Sequence, residues 1–329
     1  MTHRQAVWVM VVAALLWSIA GVVTRQLEAA SSFELTFWRS AFNALALVVL
    51  LALFRGPAML RELLRNLFSR NNQASQAGRV LWVSGLCWSV MFTAFMVALT
   101  LTSVANVLVT MAIGPLLTAL GARVALKHRL PAGTWAAIAV AGAGIAWMYG
   151  HQVSAGDPQQ LLGIAVALAV PLAAAVNFTL LQHMRSQDAP PDMMGAVLVG
   201  AVLSALATLP LAWPLAASAH DIGLLATLGV VQLAIPCLMA VAAARVLSAP
   251  EIALLGLLEV VAGVLWAWLG AGEAPSAAVL GGGTLVLLAL AGNAMLSWYR
   301  VPLTVAAAPG TGRDAGVDTG KDAGATPDR

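Results

Sequence analysis

Charge is scarce in this chain: Asp, Glu, Lys and Arg together make up 9% of its 329 residues, where an ordinary soluble domain carries roughly 25%. So few charges cannot clothe a water-facing surface of this size, which excludes a soluble globular fold. Cysteine is nearly absent too. Cys87 and Cys237 both fall inside apolar stretches, which excludes a disulfide framework. The sequence has no Gly-rich phosphate loop, no cluster of His, Cys, Asp or Glu at metal-ligand spacing, and no nucleophile with a base at a readable distance. We therefore read it as a non-enzyme with no cofactor and no ATP site of its own. His183 and Asp188 have an H-x4-D spacing but occupy a short loop, and the sequon Asn177-Phe178-Thr179 is buried in an apolar stretch.

Apolar residues make up 60% of the chain, and they gather in separate stretches of about twenty residues. A helix needs roughly 20 apolar residues to cross a bilayer, because every backbone N–H and C=O must be satisfied internally there. Ten spans are predicted, at 6–24, 35–54, 80–100, 104–124, 132–150, 160–182, 193–216, 222–244, 251–271 and 278–298. The fold class is all-α integral membrane. The first stretch runs straight into Arg25 without a small-residue cleavage site, so it is read as the first helix and not as a signal peptide.

Basic residues orient the spans, since cytoplasmic loops keep Lys and Arg. With the amino terminus inside, fifteen of the 17 basic residues fall on inner segments, Arg25 alone falls outside, and Arg39 lies within the second span. Both termini are expected to be cytoplasmic, and the net charge of +3 is a topology signal that requires no nucleic-acid partner. Residues 57–70 alternate Leu60, Leu63, Leu64, Leu67 and Phe68 with Arg61, Arg65 and Arg70 at helical spacing, which predicts an amphipathic helix on the inner leaflet. Beyond residue 300 the chain turns to Gly, Ala, Asp, Pro and Thr, the composition of a disordered tail.

An internal repeat divides the spans five and five. At a spacing of 150, Gly133-Thr134, Ala139, Ala141, Gly142 and Tyr149 recur as Gly283-Thr284, Ala289, Ala291, Gly292 and Tyr299; a weaker echo at 145 aligns Ser103 with Ser248 and Gly114 with Glu259. With five spans per unit, the second enters the membrane from the opposite side. The expected organisation is residues 1–150 and 151–300 as inverted repeats, followed by the tail 301–329, an architecture many secondary transporters use.

Leu16-Trp17-Ser18 in the first span, Arg39 in the second, the run from Ala98 through Ser103 to Pro115, and the ninth-span segment from Leu257-Leu258-Glu259 through Trp266 to Gly272-Glu273 resemble the drug/metabolite transporter superfamily, specifically the EamA-type permeases. The resemblance covers residues 5–298. Two departures stand out: Lys127-His128-Arg129 replaces an acidic residue that often closes the fourth span, and Val260 replaces a proline that often follows the ninth-span Glu. The resemblance implies a secondary transporter in the inner membrane that exports amino acids or related small metabolites.

Among candidate site residues Glu259 comes first, because an ionisable group at mid-span costs roughly 2.5 to 3.5 kcal/mol on insertion scales and should face a cavity or a partner. It can act as counter-ion to a substrate amine, carry protons, or bond neighbouring helices. Helical spacing puts Trp266 on its face, with a ring to offer a cation. Trp17, Trp88, and the polar stripe containing Asn106 and Thr110 are candidate lining. Asn177 and Gln232 lie near Pro171 and Pro236, whose missing N–H groups can open the backbone. For Arg39, snorkelling to the interface, holding a substrate carboxylate, and pairing with Glu34 all remain open. The expected partners are a small-molecule substrate, protons as a coupling candidate, and the lipid bilayer. A non-transporting structural or sensory membrane protein is the alternative, with an intramembrane enzyme behind it. Oligomeric state is not readable.

Overall fold

The structure, a computed structural model, describes residues 1–28, 31–68, 72–126, 132–154, 157–185, 187 and 191–299. The predicted tail at 301–329 lies outside them. All regular structure among the described residues is helical: α1 (His3–Ser18), α2 (Ala20–Thr24), α3 (Ser32–Arg55), α4 (Pro57–Phe68), α5 (Asn72–Leu101), α6 (Val104–Met111), α7 (Gly114–Leu126), α8 (Ala132–Ser154), α9 (Pro158–Arg185), α10 (Met194–Ala212), α11 (Ala219–Thr227), a π-helical turn (Leu228–Ala234), α12 (Ile235–Ala243), α13 (Ala249–Ala271) and α14 (Ala277–Tyr299).

Eight helical segments among the described residues are long and apolar enough to cross a membrane. They match the predicted spans except the fifth and tenth, where the described apolar helices are shorter, Trp135–Gly144 and Ala277–Ala289. The multi-pass helical membrane class thus stands on eight segments.

Hydroxyl and carboxylate caps set the helix ends, because the first turn leaves N–H groups unpaired. Thr2 and Gln5 form a capping box on α1, Ser31 accepts from Glu34 N, Ser103 from Asn106 N, and Ser218 from Asp221 N. Ser248 and Glu251 form a second box at α13, which ends on Gly272 at a φ of 66°. Asp157 receives the Gln160 side chain and the backbone N–H groups of Gln159 and Gln160 at the start of α9, and these bonds hold its carboxyl below the usual range.

In the packing, α5 lies against α9 and α10, α3 against α10 and the π turn, α1 against α12 and α13, α9 also against α6 and α7, and α8 against α14. Small residues let these spans approach closely, as expected where lipid supplies no hydrophobic drive between helices. A Cβ on Gly200 would collide with Trp88 and sit 2.9 Å from the Gly85 carbonyl oxygen. Helix α4 inserts Leu63 against Gly195 while leaving Leu64 and Phe68 exposed.

The two ends of the bundle are tied differently. At one end Arg25 donates to Glu273 at 2.8 Å and to the carbonyls of Leu99 and Thr102, while Glu273 accepts from Val104 N. At the other, Asp192 meets Arg55 and Arg245, and His3 meets Glu251.

Candidate functional site

Three helix interruptions surround one interior cavity. The first span breaks at Ile19, between α1 and α2. The fourth breaks at Ala112 and Ile113, where Pro115 has no N–H to offer the Met111 carbonyl. The eighth widens into the π turn just ahead of Pro236, which leaves the Gln232 carbonyl without its usual partner, and Ile235 N instead reaches back to Val230 O. Irregular backbone at membrane depth is tolerated where it lines a cavity or is covered by protein. Trp17, Met111, Gly114, Pro115, Gln232 and Leu233, which flank these breaks, all line the cavity.

The cavity has a volume of about 120 Å³, near the roughly 150 Å³ that admits a benzene-sized ligand. Its walls include five aromatic and three thioether side chains, Trp17, Trp88, Phe92, Phe95, Phe178, Met10, Met91 and Met111. Two ionisable side chains face it, Arg39 from α3 and Glu259 from α13.

Gly229 is what brings Arg39 to its partner. A Cβ there would lie 2.6 Å from Phe42 Cβ, 2.7 Å from the Arg39 carbonyl oxygen and 2.9 Å from Asn43 N, so the π turn meets α3 backbone to backbone. That approach lets Arg39 donate from Nε and Nη2 to Gln232 Oε1 at 3.3 and 3.0 Å, and from Nη1 to the Phe92 carbonyl at 3.4 Å. The guanidinium also lies 5.6 Å from the Phe95 ring centre. Gln232 completes a bridge by donating Nε2 to the Trp17 carbonyl at 3.2 Å. Arg39 is 2% exposed, so it neither snorkels nor meets Glu34, which accepts instead from Ala216 N, Ala217 N and Trp38 Nε1.

Glu259 has no hydrogen bond or ion pair among the described residues. It interacts with Arg39 electrostatically across the cavity without an ion-pair contact. Trp88 Nε1 is buried without a partner among the described residues. The site thus offers one free carboxylate, one braced guanidinium and one spare N–H donor inside an aromatic wall.

Residues 4–150 match the family model described as the EamA-like transporter family. A solved structure described as "Crystal structure of protein" shares the fold at a TM-score of 0.62 and 22% identity, covering 91% of this chain and 99% of that one. At that identity the likeness shows the fold alone. No curated protein matches the chain.

Of the residues expected at the site, Glu259, Arg39, Gln232, Trp17 and Trp88 line the cavity; four do not. Asn177 is buried outside it and accepts from Ser84 Oγ at 2.6 Å. Asn106 donates to Thr102 Oγ1, just before its helix, while its Oδ1 has no partner among the described residues, and Thr110 donates to the Asn106 carbonyl; neither side chain lines the cavity. Trp266 is 42% exposed and donates to Ser18 Oγ at 3.2 Å. It shares a helical face with Glu259, but Gly263 between them packs α13 onto Leu108 and the Ser18 carbonyl and so ends the cavity there. Sequence reasoning missed Phe92, Phe178, Met10, Met91, Met111 and Cys237. Apolar residues at helical spacing carry no signal that separates a cavity wall from a packed core.

Proposed function

We propose that the chain is a secondary transporter of the drug/metabolite type, with ten transmembrane helices in two inverted five-helix repeats, that exports amino acids or related small polar metabolites across the inner membrane by alternating access. The observation that carries this reading is that an arginine and a glutamate, Arg39 and Glu259, face one cavity without direct contact with each other. A zwitterion fits that pair: its ammonium beside the Glu259 carboxylate, its carboxylate beside the Arg39 guanidinium, and an apolar body against Trp88, Phe92 and Phe178.

The packing supports the inverted repeat. When each span is exchanged with the one five places on, α1 against α13 becomes α9 against α6 and α7, α5 against α9 becomes α12 against α1, and α10 against α5 becomes α3 against the π turn. The contacts α3 with α10 and α8 with α14 map onto themselves. A one-sided seal supports alternating access: Gly21 packs on Val104, Gly263 on Leu108 and Gly270 on Val22, all towards the Arg25–Glu273 end, while the lining continues the other way to Ile252 and Cys237.

The test is transport in proteoliposomes, screening amino acids and other metabolites with and without a proton gradient. Glu259→Gln keeps size and removes the charge. If the carboxylate couples to protons, the variant loses gradient-driven accumulation and keeps exchange; if it holds a substrate amine, binding and both transport modes fall. A stable variant with wild-type accumulation, exchange and pH dependence would remove Glu259 from the mechanism, and no substrate-dependent flux in the wild type would remove the transporter reading.

A further inference from the structure

A second cavity, of about 320 Å³, opens at the end of the bundle where the basic residues collect. Its charged lining comes from helix ends. Arg55 is the last residue of α3, Arg185 the last of α9, Arg245 follows α12, and Asp192 precedes α10. Cations at helix C-termini are stabilised by the negative ends of the helix dipoles, and Arg185 also donates to the carbonyls of Val246 and Leu247, in the turn between α12 and α13, at 2.8 and 3.3 Å. Dipoles explain why arginines stand at helix ends, yet they do not explain why three converge on one hollow.

The charge does not balance among the described residues. Asp192 is the single carboxylate lining the hollow; it takes Arg245 at 3.0 Å on Oδ1 and Arg55 at 3.4 Å on Oδ2, and Oδ1 also accepts from Met194 N. Its acceptor capacity is therefore committed, and two positive charges remain uncompensated. Each guanidinium carries five N–H donors, most of them without a protein acceptor here. The floor between the arginines is apolar, formed by residues such as Leu181, Met184 and Val241. A hollow with a cationic rim and an apolar floor at the end of a membrane bundle suits an amphiphile with an anionic head.

We propose that the Arg55–Arg185–Arg245 hollow binds a phosphate group, the head of an anionic phospholipid or a soluble phosphate, at the basic face of the bundle. Planar guanidinium forks match phosphate oxygens in pairs, and basic pockets between helices on this side of a membrane take lipid head groups. The hollow shares no lining residue with the interior cavity.

The experiment measures the thermal unfolding midpoint of the full chain in detergent as phosphatidylglycerol, phosphatidylcholine or inorganic phosphate is added. Phosphatidylglycerol should raise the midpoint with saturation and phosphatidylcholine should not. Arg185→Gln should weaken the apparent affinity about fivefold, the contribution of one arginine near a membrane surface, and Asp192→Asn should tighten it by a similar factor while lowering the midpoint of the lipid-free protein. That opposite sign separates ligand binding from helix capping, which would make both variants merely less stable. Saturable stabilisation by millimolar phosphate alone, weakened and tightened by the same two variants, assigns the site to a soluble phosphate. If Arg185→Gln does not fold, Arg55→Gln takes its place. Equal responses to the two lipids with no effect of phosphate, or variants with wild-type affinity, would overturn the proposal.

Discussion

Gly229→Ala adds a single methyl group at the contact that positions Arg39, and its consequences follow from distances. The new Cβ would stand 2.6 to 2.9 Å from Phe42 Cβ, Arg39 O and Asn43 N, against the 3.4 Å of an ordinary contact. Two of these neighbours are backbone atoms, so no rotamer change relieves the clash. The π turn and α3 must separate by about 0.5–0.8 Å, and overpacking of this kind costs about 1–3 kcal/mol. The same displacement stretches the Arg39–Gln232 bonds from 3.0 and 3.3 Å to the edge of hydrogen-bonding range or beyond. Gly223→Ala is the internal control: it lies on the same span, with nothing within 4 Å of its would-be Cβ, and should gain about 0.8–1 kcal/mol of helix propensity. Thermal unfolding in detergent reads the stabilities, and substrate binding to the same preparations reads the site. We expect Gly229→Ala to lower both the midpoint and the affinity, and Gly223→Ala to hold or raise the midpoint with affinity unchanged. Equal midpoints for the two variants, or intact binding in a destabilised Gly229→Ala, would refute the claim that this backbone contact sets the position of Arg39.

Ser84→Ala strands the buried Asn177 side chain, whose Nδ2 already has no partner among the described residues, and should cost about 1–3 kcal/mol in unfolding experiments. Ser84→Ala with Asn177→Leu should recover part of that loss, and a double variant worse than the single would contradict the orphaned-polar account. Arg25→Gln and Glu273→Gln should be non-additive by about 0.5–3 kcal/mol in a double-mutant cycle, since the pair shares one 2.8 Å bond and the backbone between Leu99 and Val104; strict additivity would show that the two act separately. In a background lacking Cys87 and Cys237, cysteines placed near His220 and Ser276 should label from outside and ones near Asn72 and Ser186 only from inside. A mixed pattern would sink the ten-span topology.

Eight of the ten predicted spans were readable in the sequence because a bilayer leaves so little choice: roughly twenty apolar residues with internally satisfied backbone. Boundaries were readable where a cap marks them, as Ser103 and Ser248 do. Glu259 was conspicuous because a mid-span carboxylate is costly without a role. The direction of Arg39 was not readable. It depends on Gly229 and Gln232, which are remote in sequence and ordinary in composition. Nor could the polar stripe of Asn106 and Thr110 be separated from a cavity lining, because helical spacing reports a shared face and says nothing of whether a side chain bonds outward or back to its own helix.

The helix breaks and the charge pair have a common cause. A continuous helix satisfies its own carbonyls, so it presents only side chains to a cavity; an interrupted one releases main-chain oxygen. Gln232 uses such an acceptor, the Trp17 carbonyl beside the Ile19 break, to anchor its amide, and with the amide anchored its Oε1 faces Arg39. The guanidinium is thereby held by neutral acceptors, Gln232 and the Phe92 carbonyl, and not by a carboxylate. Neutral acceptors satisfy its donors without cancelling its charge, which leaves Glu259 free of a fixed partner. An Arg39–Glu259 ion pair would be the simpler way to bury both groups, and a buried pair broken on one side costs about 3–5 kcal/mol. Holding the two apart keeps that attraction available to a ligand that bears both charges.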